Sequence, residues 1–304
     1  MSKLNILLTG STGFLGGYIK SVLYNSEFIL TTIGRDKKND LKIDLSKEDI
    51  SFRDEVFELI IHCAGKAHVI PKSEYEKAEF YTVNVEGTKN LIKSLETLKT
   101  IPKYFVFISS VSVYGLISGN LIKENFPLNA TDPYGSSKIF AENIVQEWCE
   151  KHKVKCTILR LPLIIGVNPV GNLKTMINGL KKGYYFNIDG GKARKSMVLA
   201  EDVASFIPIV ANIGGTYNLT DGQHPNFFNL SNHISNDLGK RQPYNIPKYI
   251  AFILSKIGDL IGDKFPINSD KFLKITSDLT FDDSKARTLA NWNPTPVLDG
   301  FKVM

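Results

Sequence analysis

Several things are scarce in this chain of 304 residues. Cysteine occurs three times, at Cys63, Cys149 and Cys156, an odd number at spacings that fit neither a metal site nor a redox motif. The expectation is three reduced, mostly packed thiols in a cytoplasmic protein. No apolar run approaches the ~18 residues of a membrane span. The opening residues lack the charged-then-apolar layout of a secretory leader, which agrees with a cytoplasmic location. Charge is not concentrated in one place. There are 37 basic and 31 acidic residues, a net +6, and the basic ones are scattered apart from short clusters near Arg35 and from Lys192 to Lys195. A nucleic-acid surface would show a basic stripe with stacking aromatics, so nucleic acid is excluded as a partner. A mildly basic surface suits an anionic small molecule. Internal repeats and low-complexity linkers are also missing.

What is present reads as a globular α/β chain. Apolar content of 43% and charged content of 22% are ordinary for such a chain. Its length allows one large domain or two lobes. Strand-like runs at 4–9, 28–33, 59–63, 104–109 and 156–161 alternate with helical patterns near 15–25, 75–98 and 134–152. That alternation implies βαβ units and a doubly wound parallel sheet with helices on both faces. In such sheets ligands bind at the C-terminal strand ends, beside the switch in strand order. After Arg160 the texture breaks into short segments punctuated by Gly and Pro. The expected division is 1–162 as the sheet domain and 163–304 mainly as a smaller covering lobe. Thr216–Leu219 is expected to return as one more strand. The amphipathic stretch Tyr249–Ile261 is expected to pack on a core or partner, without stable membrane insertion.

The stretch LLTGSTGFLGG places Gly10, Gly13 and Gly16 between the first strand and the first helix. Glycines there let the backbone approach a ligand closely and take positive φ. The helix behind them aims free N–H groups and its positive end at the turn, which suits a pyrophosphate. The spacing is G-x-x-G-x-x-G rather than the commoner dinucleotide fingerprint, so the turn alone does not decide.

The second clue is DPYGSSK. Tyr134 and Lys138 are four apart, on one helical face. Ser110 closes the 104–109 strand. A tyrosine is a weak base at its ordinary pKa of about 10. A lysine ammonium at ~4 Å, in an effective dielectric of ~20, favours the phenolate by roughly 4 kcal/mol at most. That moves Tyr134 toward neutrality, where general acid–base work is efficient. An oxidised nicotinamide would push the same way. Ser110 would hydrogen-bond the reacting oxygen.

The segments TGSTGFLG, HCAGKAHV, YTVNVEGTKNL, FVFISSVSVYG, PYGSSK, LRLPLIIG and FDDSKARTLANWNP together resemble the extended short-chain dehydrogenase/reductases. More narrowly they resemble the nucleotide-sugar epimerases and 4-ketoreductases. The resemblance runs in order over nearly the whole chain. It implies a Rossmann domain, bound NAD or NADP, and a UDP-sugar substrate. Ser110, Tyr134 and Lys138 then match the catalytic trio. Gly10, Thr12, Gly13, Phe14, Leu15 and Gly16 match the pyrophosphate turn. Asp44 and Leu45 fall where the adenine is contacted, although Asp44 read by itself is a turn or N-cap residue. Ala64, Gly65, Asn84 and Pro162 match further cofactor contacts. Ser112, Asn172, Arg194, Ser196 and Arg287 match substrate contacts. A homodimer through 75–98 and 134–152 follows from the resemblance alone.

Within the family, dehydratases typically carry threonine followed by Asp-Glu where Ser110, Val111 and Ser112 stand here, so dehydration is set aside. The fucose-synthase type places a cysteine and a later histidine that are not evident here. A 4-epimerase and an NADPH-dependent 4-keto-6-deoxy-sugar reductase, serving surface-polysaccharide synthesis, both remain, and the epimerase is the first reading. Arg35, just past the second strand, tilts the cofactor toward NADP, while Asp36 blunts the tilt. Non-catalytic nucleotide sensors of this superfamily typically lose the Tyr/Lys pair that this chain keeps.

Overall fold

A computed structural model of the chain describes residues 3–24, 28–67, 69, 71–262 and 265–303. The strands are β1 (Leu4–Thr9), β2 (Phe28–Gly34), β3 (Leu41–Lys42), β4 (Leu59–His62), β5 (Tyr104–Ser110), β6 (Gly119–Ile122) and β7 (Lys155–Leu161). They continue with β8 (Leu163–Ile165), β9 (Asn187–Ile188), β10 (Met197–Leu199), β11 (Gly215–Asn218), β12 (Asn245–Ile246) and β13 (Leu279–Phe281). The helices are α1 (Phe14–Tyr24), α2 (Glu74–Tyr81), α3 (Gly87–Leu95), α4 (Pro133–His152), α5 (Gly171–Lys182) and α6 (Ala200–Ala211). After them come α7 (Phe227–Asp237), α8 (Lys248–Ile261), α9 (Ser269–Thr276), α10 (Ser284–Ala290) and α11 (Val297–Gly300).

Seven strands form one sheet in the order β11-β7-β5-β4-β1-β2-β3, and all its neighbours run parallel. Strand order reverses between β1 and β4, which opens a crevice at their C-terminal ends. Both faces are covered, and alternate residues of each strand serve opposite faces. Ile6, Leu8, Leu59, Ile61, Val106 and Leu159 join α1 and α6 in one core. Leu7, Ile60, Phe105, Phe107 and Ile158 join α3 and α4 in the other.

The helix expected over 75–98 is not uniform. Ser73 caps it by accepting from the Glu76 N–H at 3.2 Å, and a wide π turn over Thr82–Glu86 separates α2 from α3. Such turns recur at functional sites because they displace a side chain from the regular helical spacing. Asn84 sits in this one. α4 begins at an Asp132 cap, whose carboxylate accepts from the Gly135 N–H at 3.0 Å, with Pro133 in the first turn.

The C-terminal half does not separate cleanly at 162. β11 hydrogen-bonds β7 at the sheet edge. α6, α10 and Trp292 pack into the sheet's own core, and β13 pairs with β6 from the first half. A core of its own forms from Ile165, Leu173, Ile177, Leu180, Leu230 and Phe301. α8 leaves the core branch of its expected packing on a core or partner largely unused. Its inward face is the small residues Ala251, Ser255 and Gly258, and a Cβ on Gly258 would collide with the Ile267 carbonyl. The large apolar side chains of this helix face outward instead, with Leu260 89% exposed.

Beneath the sheet's C-terminal edge lies a buried ion pair. Arg160 of β7 donates through Nη2 to Glu142 of α4 at 2.7 Å, with both side chains almost wholly out of water. Ser109 donates a short hydrogen bond to the same carboxylate. Arg160 Nη1 donates to the Tyr114 hydroxyl at 3.1 Å and to the Glu124 carbonyl at 3.0 Å. Tyr114 in turn donates to Asn218 of β11 at 2.8 Å. Arg160→Met, which leaves the Glu142 carboxylate buried and unpaired, is predicted to cost about 3–5 kcal/mol of stability. Adding Glu142→Leu should recover at least half of that in urea unfolding. A single variant as stable as the parent contradicts the pairing.

Candidate active site

The glycine turn is built by close backbone approach. Gly10 has φ +74, and a Cβ there would lie 2.6 Å from the Ala64 nitrogen. A Cβ on Gly16 would strike the Gly10 carbonyl. The turn is closed by Gly13 N–H to Gly10 O at 3.0 Å and Gly17 N–H to Gly13 O at 2.9 Å. α1 has no acidic residue in its first turn, so its positive end is left uncompensated and favours an anion. Thr12 and Gly13 are exposed and Phe14 is partly so. These are the residues that fit a pyrophosphate.

Leu15 and Leu45 are placed differently from a contacting role. Both side chains are buried in the two sheet cores. Asp44 behaves as its plain reading suggested. Its carboxylate accepts from the Ser46 hydroxyl at 2.6 Å and the Ser46 N–H at 3.2 Å, closing a local turn. The turn after β2 holds a residue that sequence reasoning missed. Buried Asn39 accepts from the Ser11 hydroxyl at 2.6 Å and donates to the Asp36 carbonyl at 2.9 Å, strapping this turn to the glycine loop. Arg35 is exposed at the same turn.

The end of β4 is organised by a chain of hydrogen bonds. The Ala64 N–H donates to Thr9 Oγ1 at 3.0 Å. Thr9 and Thr88 flank the His62 ring at 2.7 and 2.9 Å, and Thr88 donates to the Asn84 carbonyl at 2.6 Å. Burial, with the nearby Lys138 charge, pushes the His62 pKa down to about 3, so the ring is a neutral strut. The Asn84 side chain accepts from the Lys66 N–H at 2.7 Å and donates to the Ser137 hydroxyl at 2.8 Å. It thereby ties the Ala64–Gly65 loop to α4. A Cβ on Gly65 would lie 3.1 Å from Asn84 Oδ1 and 3.4 Å from Lys138 Nζ.

Ser110, Tyr134 and Lys138 come together here. The Ser110 side chain acts on the Tyr134 phenol, favouring its ionised form, and its hydroxyl donates to Ser112 Oγ at 3.1 Å. The Tyr134 ring packs beside Phe80. Lys138 is buried one turn along α4 and donates to the Ile108 carbonyl at 2.8 Å, with Nζ 4.6 Å from the centre of the Phe107 ring. Burial lowers the Lys138 pKa to about 8, opposed by Cys63 and Glu142.

The expectation that lysine draws the phenol toward neutrality is not met in this arrangement. Burial holds the Tyr134 pKa above its ordinary value; the Ser110 hydroxyl opposes this, while Asp132 and Cys63 reinforce it. The ammonium is directed at a carbonyl and a ring face rather than at the phenol. Cys63, next to this group, is itself pushed up to about 11 by burial, so it stays a thiol. None of the three cysteines is in a disulfide.

Of the residues matched to substrate contacts, three converge on the segment Thr220–His224. The Ser196 hydroxyl bonds His224 Nδ1 at 2.9 Å and accepts from the Phe281 N–H at 2.8 Å, so it is buried and fully used. Arg194 is exposed, and its Nε reaches the His224 carbonyl at 3.5 Å. Arg287 pairs with Asp283 at 2.9 Å and leans on Gly222. His224, which the motifs did not single out, links the first two. It sits at φ +50, a sparsely populated conformation for a side chain of its size. Asn172 stands apart, exposed at the start of α5, and Pro162 lies half-buried between β7 and β8.

Residues 6–220 match the model of the NAD dependent epimerase/dehydratase family. The chain belongs to that family. It is 25% identical to the N-acetyl-alpha-D-glucosaminyl-diphospho-ditrans,octacis-undecaprenol 4-epimerase of Escherichia coli O157:H7, over 93% of this chain and 89% of that one. It is 28% identical to the UDP-glucose 4-epimerase of Vibrio cholerae, over 98% of this chain and 93% of that one. The fold matches the crystal structure of the Thermotoga maritima UDP-glucose 4-epimerase with UDP-glucose. There the TM-score is 0.74 at 19% identity, over 98% of this chain and 96% of that one. The chain is thus an enzyme of the nucleotide-sugar epimerase type.

The Lys138 value generates a prediction with a definite sign. The folded pKa of about 8 lies below the ordinary 10.5. Between those values the unfolded chain holds a proton that the folded one does not, so the burial penalty is full below pH 8 and fades as pH rises to 10.5. Lys138→Met should therefore stabilise the protein at neutral pH by about 2–3 kcal/mol. Urea unfolding across that range should show the gain shrinking with pH. A pH-independent difference contradicts the assignment.

Proposed function

We propose that the chain is an NAD(P)-dependent 4-epimerase of a diphosphate-linked sugar, with a UDP-hexose or UDP-N-acetylhexosamine as first candidate. The observation that carries this reading is the meeting of Ser110, at the crevice end of β5, with Tyr134 and the buried Lys138 one turn along α4. When bound, the dinucleotide supplies hydride acceptance and return at its nicotinamide. The chain's own residues do the rest. Tyr134 Oη takes the proton of the sugar's 4-hydroxyl and, after the 4-keto sugar has turned its other face to the cofactor, returns a proton to the same oxygen, as base and then acid. Ser110 holds the reacting oxygen by hydrogen bonding. The Lys138 ammonium favours the phenolate once a substrate displaces water and the phenol approaches it.

Val111 and Ser112 after Ser110 offer no carboxylate for eliminating water, which supports epimerisation over dehydration. Arg194 and Arg287 offer guanidinium forks suited to a diphosphate. The Escherichia coli relative acts on a sugar whose diphosphate is carried by undecaprenol and the Vibrio cholerae relative on UDP-glucose. Both support C4 inversion, while the carrier differs between them. Exposed Arg35 favours a 2′-phosphate and hence NADP. That is the observation behind the second reading, an NADPH-consuming reductase of a UDP-4-keto-6-deoxy sugar. A homodimer through α2, α3 and α4 is also proposed. It is supported by Tyr81 and Phe140, which pack edge-to-face across α2 and α4 and are both exposed.

The test is to mix the purified protein with UDP-GlcNAc, UDP-galactose and a UDP-4-keto-6-deoxy sugar while following NADPH absorbance. Interconversion at C4 with no net NADPH loss is expected. Stoichiometric NADPH consumption with the keto sugar alone would replace the epimerase by the reductase. Tyr134→Phe should lose about 10²–10⁴-fold in turnover while still binding cofactor. Unimpaired turnover would remove Tyr134 from the acid–base role.

A further inference from the structure

α8 is built inside out. Ala251, Ser255 and Gly258 face the protein, and the helix lies so close to the Ile267 backbone that no larger residue fits at Gly258. Its outer face carries Tyr249, Phe252, Ile253, Ile257, Leu260 and Ile261, all exposed; Leu260 is 89%, Tyr249 67% and Ile253 56% open to solvent. A contiguous apolar face of this kind marks an interaction surface rather than ordinary scatter of single hydrophobics. Fourteen helical residues extend about 21 Å, too short to cross a hydrocarbon core of ~30 Å. Among the described residues, no helix is long and apolar enough to span a membrane.

Charge selects the partner. From Lys240 through Lys274 the sequence holds seven basic residues and three acidic ones, so much of the chain's net +6 sits in this one segment. Lys256 reaches across to Ser269 at the start of α9 and lies over the Phe252 ring, while Lys271 and Lys274 lie on α9 itself. α9 packs against α8 through Phe252 and Phe272. Two copies meeting face to face would bring like charge against like charge. An anionic bilayer offers both an apolar layer for the side chains and negative headgroups for the lysines. Tyr249, at the first turn of the helix, has the apolar body and polar tip that suit a headgroup boundary.

We propose that the outer face of α8 docks the enzyme on an anionic lipid surface, lying in the interface rather than crossing it. The docking is independent of the sugar carrier and of the epimerase reading, and it is tested without turnover. Full-length protein is floated with vesicles of phosphatidylcholine alone or of phosphatidylcholine mixed equally with phosphatidylglycerol. Binding to the mixed vesicles, weakened by added salt, is expected. Ile253→Asp with Leu260→Asp should lower the bound fraction about tenfold or more, and Lys271→Glu with Lys274→Glu should lower it on the anionic vesicles. Far-UV circular dichroism checks that each variant is folded. The proposal is overturned if the parent protein stays unbound on anionic vesicles, or if folded variants float as well as the parent. It is equally overturned if light scattering shows a dimer that the Ile253→Asp, Leu260→Asp protein no longer forms, since a second copy would then cover the face.

Discussion

The buried Arg160–Glu142 pair is the constraint on which the rest of the site depends. A carboxylate and a guanidinium out of water are tolerable only if nearly every donor and acceptor is matched. Here the matching recruits four parts of the fold: β7 and α4 supply the ions, Ser109 of β5 adds a donor, and Tyr114 links Arg160 to Asn218 of β11. Glu142 lies one helical turn beyond Lys138, and Ser109 directly precedes Ser110. Satisfying the pair therefore fixes the register of α4 on the sheet and, with it, where Tyr134 and Lys138 meet Ser110.

The same logic runs through the rest of the crevice. His62 is neutral because it is buried, and as a neutral strut it connects the glycine-turn strand to the Asn84 turn. Asn84 in turn joins the loop after β4 to α4. Lys138 is held where it costs stability, which is the usual signature of a group retained for chemistry rather than for packing. Tyr134 stands above its ordinary pKa, so the phenol waits in its neutral form. A bound cationic nicotinamide would supply the opposing charge that burial of Tyr134 withholds.

Much of the architecture was legible in the sequence because parallel strands buried on both faces read as short apolar runs. All five expected strands formed to within two residues, and Thr216–Asn218 returned beside β7. The Ser110–Tyr134–Lys138 grouping was legible because a four-residue spacing and a strand end fix relative position. Other features depend on packing that spacing does not encode. The π turn at Asn84 carries no composition signal. Asn39 and His224 act through contacts with residues far along the chain. Ser196, Leu15 and Leu45 sit in recognisable motifs, yet their side chains are absorbed by the interior. The apolar face of α8 was legible as a packing surface, but the sequence did not say whether it packs on the core or on a partner. The backbone of the following loop approaches so closely that only small residues fit there, and the large ones turn outward.

The central claim is that burial keeps the Tyr134 phenol neutral until cofactor charge completes the site. The most direct test is an ultraviolet titration of the parent protein and of Tyr134→Phe, with and without NAD, taking the difference as the Tyr134 phenolate signal. The account predicts a midpoint above the ordinary 10.0 without cofactor, moving toward neutrality when NAD is bound. A phenolate already formed near neutral pH in cofactor-free protein, or a midpoint that NAD does not move, would contradict it.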